Sequence, residues 1–480
     1  MLTMLKITTI FWSKLKTQPD VWFFYAFLLT SSLSVRKVLF YFPIQGTFSE
    51  YAGIYIYLSD IFLTLAICLW LVILLSNKIV ELSSSKHSFR LNKLNIKAYI
   101  KPKLVVDKLW TKKLIHNLYL ILPLILILLS FTSILWSQNK IIALFRSLKL
   151  FEFYILYLYI IFRIVPRGTI KDKLIFIIIS TGVIQSLIGI YQFIVQHSLG
   201  LTFLKESLIN PEILGVAKII LNGEKYIRAY GLFPHPNILG GYLVLSIIFT
   251  LLILREHSFN KKSFIKSILC LQFIALLLTF SKSAILGLII SLGFIYWKIN
   301  PKYNFSRVFK KLSQFKIAIL VVIIFLTSFF LMAQPDLNSV FFQSLNERLF
   351  YLNVSRGTIL ANPILGIGAG QSALSIPNFT NQIIPAWQYQ PVHNVFLLIW
   401  SELGIIGLIL LIWWLFILNN NNCNLSSSLS RIYFNAILLG FIFIMLFDHY
   451  FWDIQQGQIM LWLVFGLMMG LQRTRSSCIV

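Results

Sequence analysis

Apolar runs of about 18 residues or more recur from one end of this 480-residue chain to the other, and a run of that length crosses a membrane as a helix. In hydrocarbon every backbone N–H and C=O must find its partner within the protein, so only helices or a closed barrel can span. Barrel strands would alternate apolar and polar residues over about ten positions, and these runs do not. The chain is 58% hydrophobic and 12% charged, against about 25% charged in a soluble domain. The expectation is an all-α, polytopic integral membrane protein: one membrane domain over residues 1–480.

About twelve spans are predicted, near 21–43, 53–75, 114–136, 142–163, 173–195, 236–254, 264–281, 283–298, 316–333, 393–418, 432–451 and 456–472. With the N-terminus inside, 30 of the 42 Lys and Arg fall in inside segments and 12 in outside ones. That bias orients the chain with both termini cytoplasmic. It also gives the net charge of +26 a topogenic reading on anionic lipid, and nucleic acid is not an expected partner. The first span is expected to be retained, because no small-residue cleavage site follows it. Cys68, Cys270, Cys423 and Cys478 are scattered, with no CxxC spacing or disulfide framework.

Three loops stand out. Residues 76–113 form a basic cytoplasmic loop, residues 196–235 an outer loop, and residues 334–392 a long outer loop before the tenth span. The 419–428 run, NNNNCNLSSS, reads as an inside linker. In the fourth span Arg146, Lys149 and Glu152 recur at three-residue spacing and so share a helix face. They form either a structural ion pair or the lining of a polar cavity, since intramembrane charges face the bundle interior. Asp60 and Glu402, read as two to three turns inside the outer ends of their helices, are similar cavity candidates. Pro236 and Asn237 mark a helix start, where free N–H groups and the dipole favour an anion, and Gly240 and Gly241 allow close helix contact.

The topology brings Arg228, His235, Lys282, Arg348, Arg356 and His393 to the outer face from four separate segments. Cations converging at membrane level suit a phosphate or diphosphate, and a neutral His serves as a general base near pH 7. Each has a plainer reading: an interfacial Arg snorkels, and a His near a helix start caps it. No Walker A loop, GxSxG elbow or HExxH occurs, and the outer loops hold no DxD pair. Neither a metal nor a cofactor is expected, although Asp448 and Asp453 keep a metal site open.

Three blocks carry a family resemblance: RAYGLFPHPNILGGYLVL, FSKSAILGLII, and ERLFYLNVSRGTILANPILGIGAGQS followed by PVHNVFLLIWSELGIIGLILL. In that order, over residues 228–411, they resemble the O-antigen ligase and polymerase superfamily of bacterial membrane proteins. The Gly-x-Gly, His-Asn, Glu-x-Gly series is the specific part. The first five spans match only by hydropathy and by the YLSDI element. The resemblance implies a GT-C-like glycosyltransferase fold in the bacterial inner membrane and a donor glycan carried on undecaprenyl diphosphate. It also implies that Arg228, Arg348 and Lys282 hold the diphosphate and that His393 activates the acceptor hydroxyl, with Arg356, His235, Asn237, Asn394 and Glu402 in support. Lys282 stands where the family usually has Arg, which keeps the charge and loses the bidentate fork.

The leading expectation is therefore a metal-independent glycan ligase acting on a glycan, lipid or protein acceptor. A polysaccharide polymerase or a protein O-oligosaccharyltransferase of the same superfamily is the alternative. A small-solute or bicarbonate transporter is the alternative of another class, disfavoured because no broken-helix pair or internal repeat is evident. The topology has a direct test. A reporter active only outside the membrane should be active when fused after residue 370 and silent after residue 90; the reverse pattern overturns the orientation.

Overall fold

The computed structural model describes residues 18–46, 48–88, 117–221, 223–256, 262–300, 341–380, 384–420 and 429–476. The fold is mostly helical. Among the described residues six helices are long and apolar enough to cross a membrane: Leu58–Ser76, Leu118–Leu135, Lys171–Val195, Pro236–Glu256, Lys282–Ile299 and Val395–Leu418. This is the all-α, multi-pass architecture expected. The expected span 316–333, most of the basic loop 76–113, and Cys423 and Cys478 lie outside the described residues.

In chain order the elements are α1 (Pro19–Thr30), β1 (Arg36–Tyr41), β2 (Gly53–Tyr57), α2 (Leu58–Ser88), α3 (Leu118–Thr132), α4 (Lys140–Tyr159) and α5 (Gly168–Val195). Then follow β3 (Lys218–Leu221), β4 (Glu224–Ile227), α6 (Pro236–Glu256), α7 (Lys262–Leu278), α8 (Lys282–Ile299) and α9 (Phe341–Ala361). The chain closes with α10 (Val395–Asn420), α11 (Leu429–Met445), the single turn α12 (Tyr450–Asp453) and α13 (Gln455–Ser476). Helix α6 is the axis of the bundle: 78% of its spanning window is buried, against 33% for α8. Gly240 and Gly241 make that possible, since a Cβ on them would meet Ala284 at 2.9 Å and the Tyr450 hydroxyl at 2.2 Å.

The first expected span, 21–43, is helical only through Thr30. Residues 36–41 instead pair antiparallel with 53–57, Arg36 opposite Tyr57. The β-branched and aromatic residues of RKVLFY and GIYIY favour the strand, and the Arg36–Glu50 ion pair at 2.5 Å ties in the loop between them. Asp60 therefore falls in the first turn of α2, where its carboxylate accepts the Tyr57 N–H at 3.0 Å, rather than two to three turns inside. Lys149 bridges Asp60 at 2.5 Å and Glu152 at 2.9 Å, the structural pairing expected of that helix face. A second buried pair joins Asp20 to Arg163 through two bonds of 2.6 and 2.7 Å.

The long segment 334–392 is not all loop. It holds α9, and its NPILGIGAG stretch packs against a break inside α10. Gly404 there takes φ 69° and ψ −175°, which a residue bearing a Cβ rarely adopts. The break strips helical partners from backbone groups at membrane depth, and the turn replaces them. Ile367 and Gly368 donate to the carbonyls of Ser401 and Glu402 at 2.9 and 2.8 Å, and Ile405 donates to the carbonyl of Pro363 at 3.0 Å. The approach is so close that a Cβ on Gly404 would stand 1.9 Å from the Ile364 oxygen, and one on Gly366 2.4 Å from the Glu402 oxygen. Gly404→Ala should cost about 2–4 kcal/mol from a left-handed backbone and overpacking together. Gly168→Ala, where a Cβ meets nothing within 4 Å, should be near neutral. Thermal unfolding of the detergent-solubilised variants compares the two, and equal midpoints overturn the account.

Candidate functional site

Arg228 leaves β4 and reaches the start of α6. Its Nε donates to the Thr279 carbonyl at 2.6 Å and its Nη2 to Asn237 Oδ1 at 2.5 Å. Asn237 passes the connection on, its Nδ2 donating to Asp448 Oδ2 at 2.7 Å. Asp448 follows α11, which ends at Met445, so the expected span 432–451 breaks into a turn before α12. The other Asp448 oxygen accepts the His449 N–H at 3.0 Å. His449 Nδ1 in turn stands 2.9 Å from Asp453 Oδ1. Asp448, His449 and Asp453 are 4%, 5% and 8% exposed, so this polar strip is buried and its charges must answer one another.

His393 meets the strip edge-on. Its ring centroid lies 4.8 Å from that of His449 and 5.5 Å from that of Tyr351. Asn394 explains why the His sits there. Its Oδ1 accepts the Leu397 N–H at 3.0 Å, capping α10, and its Nδ2 donates to the Leu446 carbonyl at 3.0 Å. The cap thus fixes the start of α10 to the turn that carries Asp448 and His449, and the residue before it points into the site. His393 Nδ1 is buried with no hydrogen-bond partner among the described residues.

Arg348 comes from α9, three residues before Tyr351 and on the same face. It is exposed, and its charge bears on Arg228, Lys282, His393 and Asp448. Lys282, exposed at the first turn of α8, feels the charges of Arg348 and Arg228. The three diphosphate candidates thus share one electrostatic neighbourhood. Arg356 does not join them: it is exposed two turns on along α9, about 12 Å along the axis. Glu402 lies inside α10, 3% exposed, and accepts the Trp452 indole N–H at 3.0 Å.

The ionisation pattern follows from burial and neighbours. Arg228 is lowered to about 10 by burial and by Arg348, and remains charged. His235 is lowered to about 3 by burial, Arg228 and His449, and as a neutral ring its Nδ1 accepts the Asn237 N–H at 3.2 Å. With Ile238 N–H also donating inward, to the His235 carbonyl at 3.1 Å, the first donors of α6 are taken. The expected anion site at that helix start is not open. His393 is held well below the usual imidazole range by burial first, then by His449, Arg348 and His235. For His449 burial also opposes charge, but Asp453 and Asp448 outweigh it and raise the ring above its ordinary value. Burial and neighbouring charges thus pull the two rings in opposite directions, favouring the neutral form of His393 and the charged form of His449. Among the described residues no three His, Cys, Asp or Glu form a group that could hold a metal ion.

Sequence reasoning missed His449, Tyr351 and the pairing of Asp453. The signal was present as DHYFWD, where ionisable residues four apart interrupt an apolar segment, a pattern that marks a site by default. Residues 267–412 match the O-antigen ligase family model. The match takes in Lys282, Arg348, His393 and Glu402, and leaves Arg228, Asn237 and the 448–453 turn beyond its ends. No curated protein matches the chain.

Proposed function

We propose that this chain, which carries an O-antigen ligase domain and stands in that superfamily, transfers a glycan from undecaprenyl diphosphate to an acceptor at the outer face of the bacterial inner membrane. In this reading the chain spans that membrane about twelve times in a GT-C-like arrangement, with both termini cytoplasmic. The observation that carries it is His393: a buried, unpartnered imidazole nitrogen beside the shared field of Arg228, Lys282 and Arg348. That field suits the two phosphates of the donor, Arg by its planar fork and Lys as a point charge.

The acceptor hydroxyl oxygen attacks the anomeric carbon, and its proton passes to His393. The bond from that carbon to the diphosphate breaks, and the electron pair leaves on the phosphate oxygen. Undecaprenyl diphosphate is already a stabilised anion, so its departure needs no protonation. In the empty site His393 is a weak base, because burial and its cationic neighbours disfavour the imidazolium. Bound diphosphate brings negative charge to Arg348 and Lys282, which favours the imidazolium and strengthens the base at the moment it is needed. Ligase, polymerase and protein-transferring relatives share this donor chemistry and part at the acceptor. We place this chain with the ligases.

General-base help contributes about two to four orders of magnitude. His393→Gln should lower transfer by about that factor with donor binding nearly intact, whereas Arg228→Ala and Arg348→Ala should abolish donor binding. Arg348→Lys should retain little activity. Donor binding and transfer measured side by side on purified variants decide the matter: near-normal transfer by His393→Gln removes the base role.

The pH profile offers an independent check. In the free enzyme the depressed His393 puts the acid limb of kcat/KM below pH 6.5. In the donor complex the diphosphate raises it, so the acid limb of kcat should lie at higher pH than that of kcat/KM. Coincident limbs, or the opposite order, would show that the diphosphate does not act on this imidazole.

A further inference from the structure

Arg356 stands outside the cluster, and the side of α9 that carries it is turned away from the site. Tyr351, Val354, Ser355 and Thr358 make the buried face of α9. Leu349, Leu352, Arg356 and Leu360 recur at three- and four-residue spacing on the opposite face. The three leucines are 47%, 43% and 70% exposed, and the exposed Ile364 and Leu365 carry the apolar surface past the helix end. A lone exposed Leu needs no explanation, but a continuous row over about three turns does.

The row runs into a surface that meets lipid. The Trp400 indole N–H donates to the Pro363 carbonyl at 3.2 Å, the same carbonyl that accepts the Ile405 N–H at the break in α10. Beyond the break, Ile406, Ile409 and Trp413 are exposed along one face of α10. That helix is long and apolar enough to cross the membrane, so hydrocarbon covers this face. A Trp whose N–H is satisfied at the join has the place such rings take at the membrane–water boundary. Arg356, between Leu352 and Leu360, sets the depth of the row. Deep in hydrocarbon its charge would be costly, and in water the leucines would stay uncovered. At the headgroups both are met: the leucines enter the acyl boundary and the guanidinium reaches a phosphate.

We propose that α9 lies along the headgroup layer on the site's side of the bilayer, with Leu349, Leu352 and Leu360 in the acyl boundary and Arg356 on the phosphate of a phospholipid. This goes beyond the proposed transfer and does not depend on it. The consequence for the site is one of height. Arg348, two turns away on α9, is held at the level where lipid-borne phosphate lies.

The test uses the full-length chain with Cys68, Cys270, Cys423 and Cys478 replaced by serine, in nanodiscs of phosphatidylethanolamine and phosphatidylglycerol. A nitroxide is attached at Leu352→Cys or Leu360→Cys. Ile409→Cys is the lipid reference, and Lys225→Cys, exposed on the β3–β4 hairpin, is the water reference. Both α9 labels should be relaxed more by oxygen than by a nickel chelate, as at Ile409→Cys. Relaxation by nickel as strong as at Lys225→Cys overturns the docking. Should one α9 variant fail to accumulate, the other reads the same face. The phosphate contact is tested in detergent, through the lipid concentration that gives half of the full thermal stabilisation. Arg356→Gln should raise this half-point for phosphatidylglycerol about fivefold. Lys225→Gln should leave it unchanged, and inorganic phosphate should not replace the lipid. Equal half-points in wild type and Arg356→Gln, or no stabilisation by the lipid, remove Arg356 from the headgroup. Stabilisation by inorganic phosphate alone assigns the arginine to a free anion and likewise overturns the contact. None of these readouts involves glycan transfer, so the functional reading can fail without touching them.

Discussion

Three backbone hydrogen bonds join the break in α10 to the glycine-rich turn over residues 363–368. Where α10 breaks at Gly404, Ile367 and Gly368 supply the missing donors and Pro363 the missing acceptor. At membrane depth each unpaired backbone group costs several kcal/mol, so the broken helix and the glycine-rich turn cannot exist apart. This gives a physical reason for two short motifs to stand about forty residues apart in the sequence. The Gly-x-Gly turn and the Glu-x-Gly kink are the two halves of one joint.

The joint positions what lies on either side of it. Above the kink, the short upper section of α10 begins at the Asn394 cap and presents His393. Just before the kink, Glu402 holds Trp452. The turn itself continues through Ala369, whose N–H donates to the Ser133 hydroxyl at 3.1 Å, and Gln371, whose side chain pairs with the backbone of Asn139. Asn139 caps α4, the helix of Arg146. One strained backbone contact therefore sets the relation between the imidazole, the carboxylate of α10 and the guanidinium of α4.

Much of this was legible in the sequence. The membrane class, the start of α6 at Pro236, and the gathering of Arg228, Lys282, Arg348 and His393 followed from hydropathy, charge placement and motif. Hydropathy fails where an apolar stretch is not a helix. Residues 36–41 and 53–57, taken as the end of the first expected span and the start of the second, pair as a hairpin instead, and this moved Asp60 to a helix start. The same blindness hid His449, because the expected span 432–451 ran through the turn that carries it. Arg356 stands apart from the cluster for a different reason. Two arginines on one helix look equivalent as a list, but eight residues place them about 12 Å apart along the axis. The dual reading of the fourth span resolved by division: Lys149 and Glu152 took the ion pair, and Arg146 took the backbone carbonyls of Tyr51 and Asp453.

The bond from Asn237 to Asp448 joins residues 211 positions apart. A chain emerging from the ribosome inserts its helices in order, so Arg228 and Asn237 reach the membrane long before the turn that completes their network. Until the final two helices arrive, the cations have no carboxylates to answer them and His393 has no His449 against it. A chain truncated before α11 therefore leaves the Asn237 Nδ2 without the carboxylate it donates to. The cluster is complete only once the turn between α11 and α13 has packed against α6 and α10, so its assembly waits on the last of its own elements to be inserted.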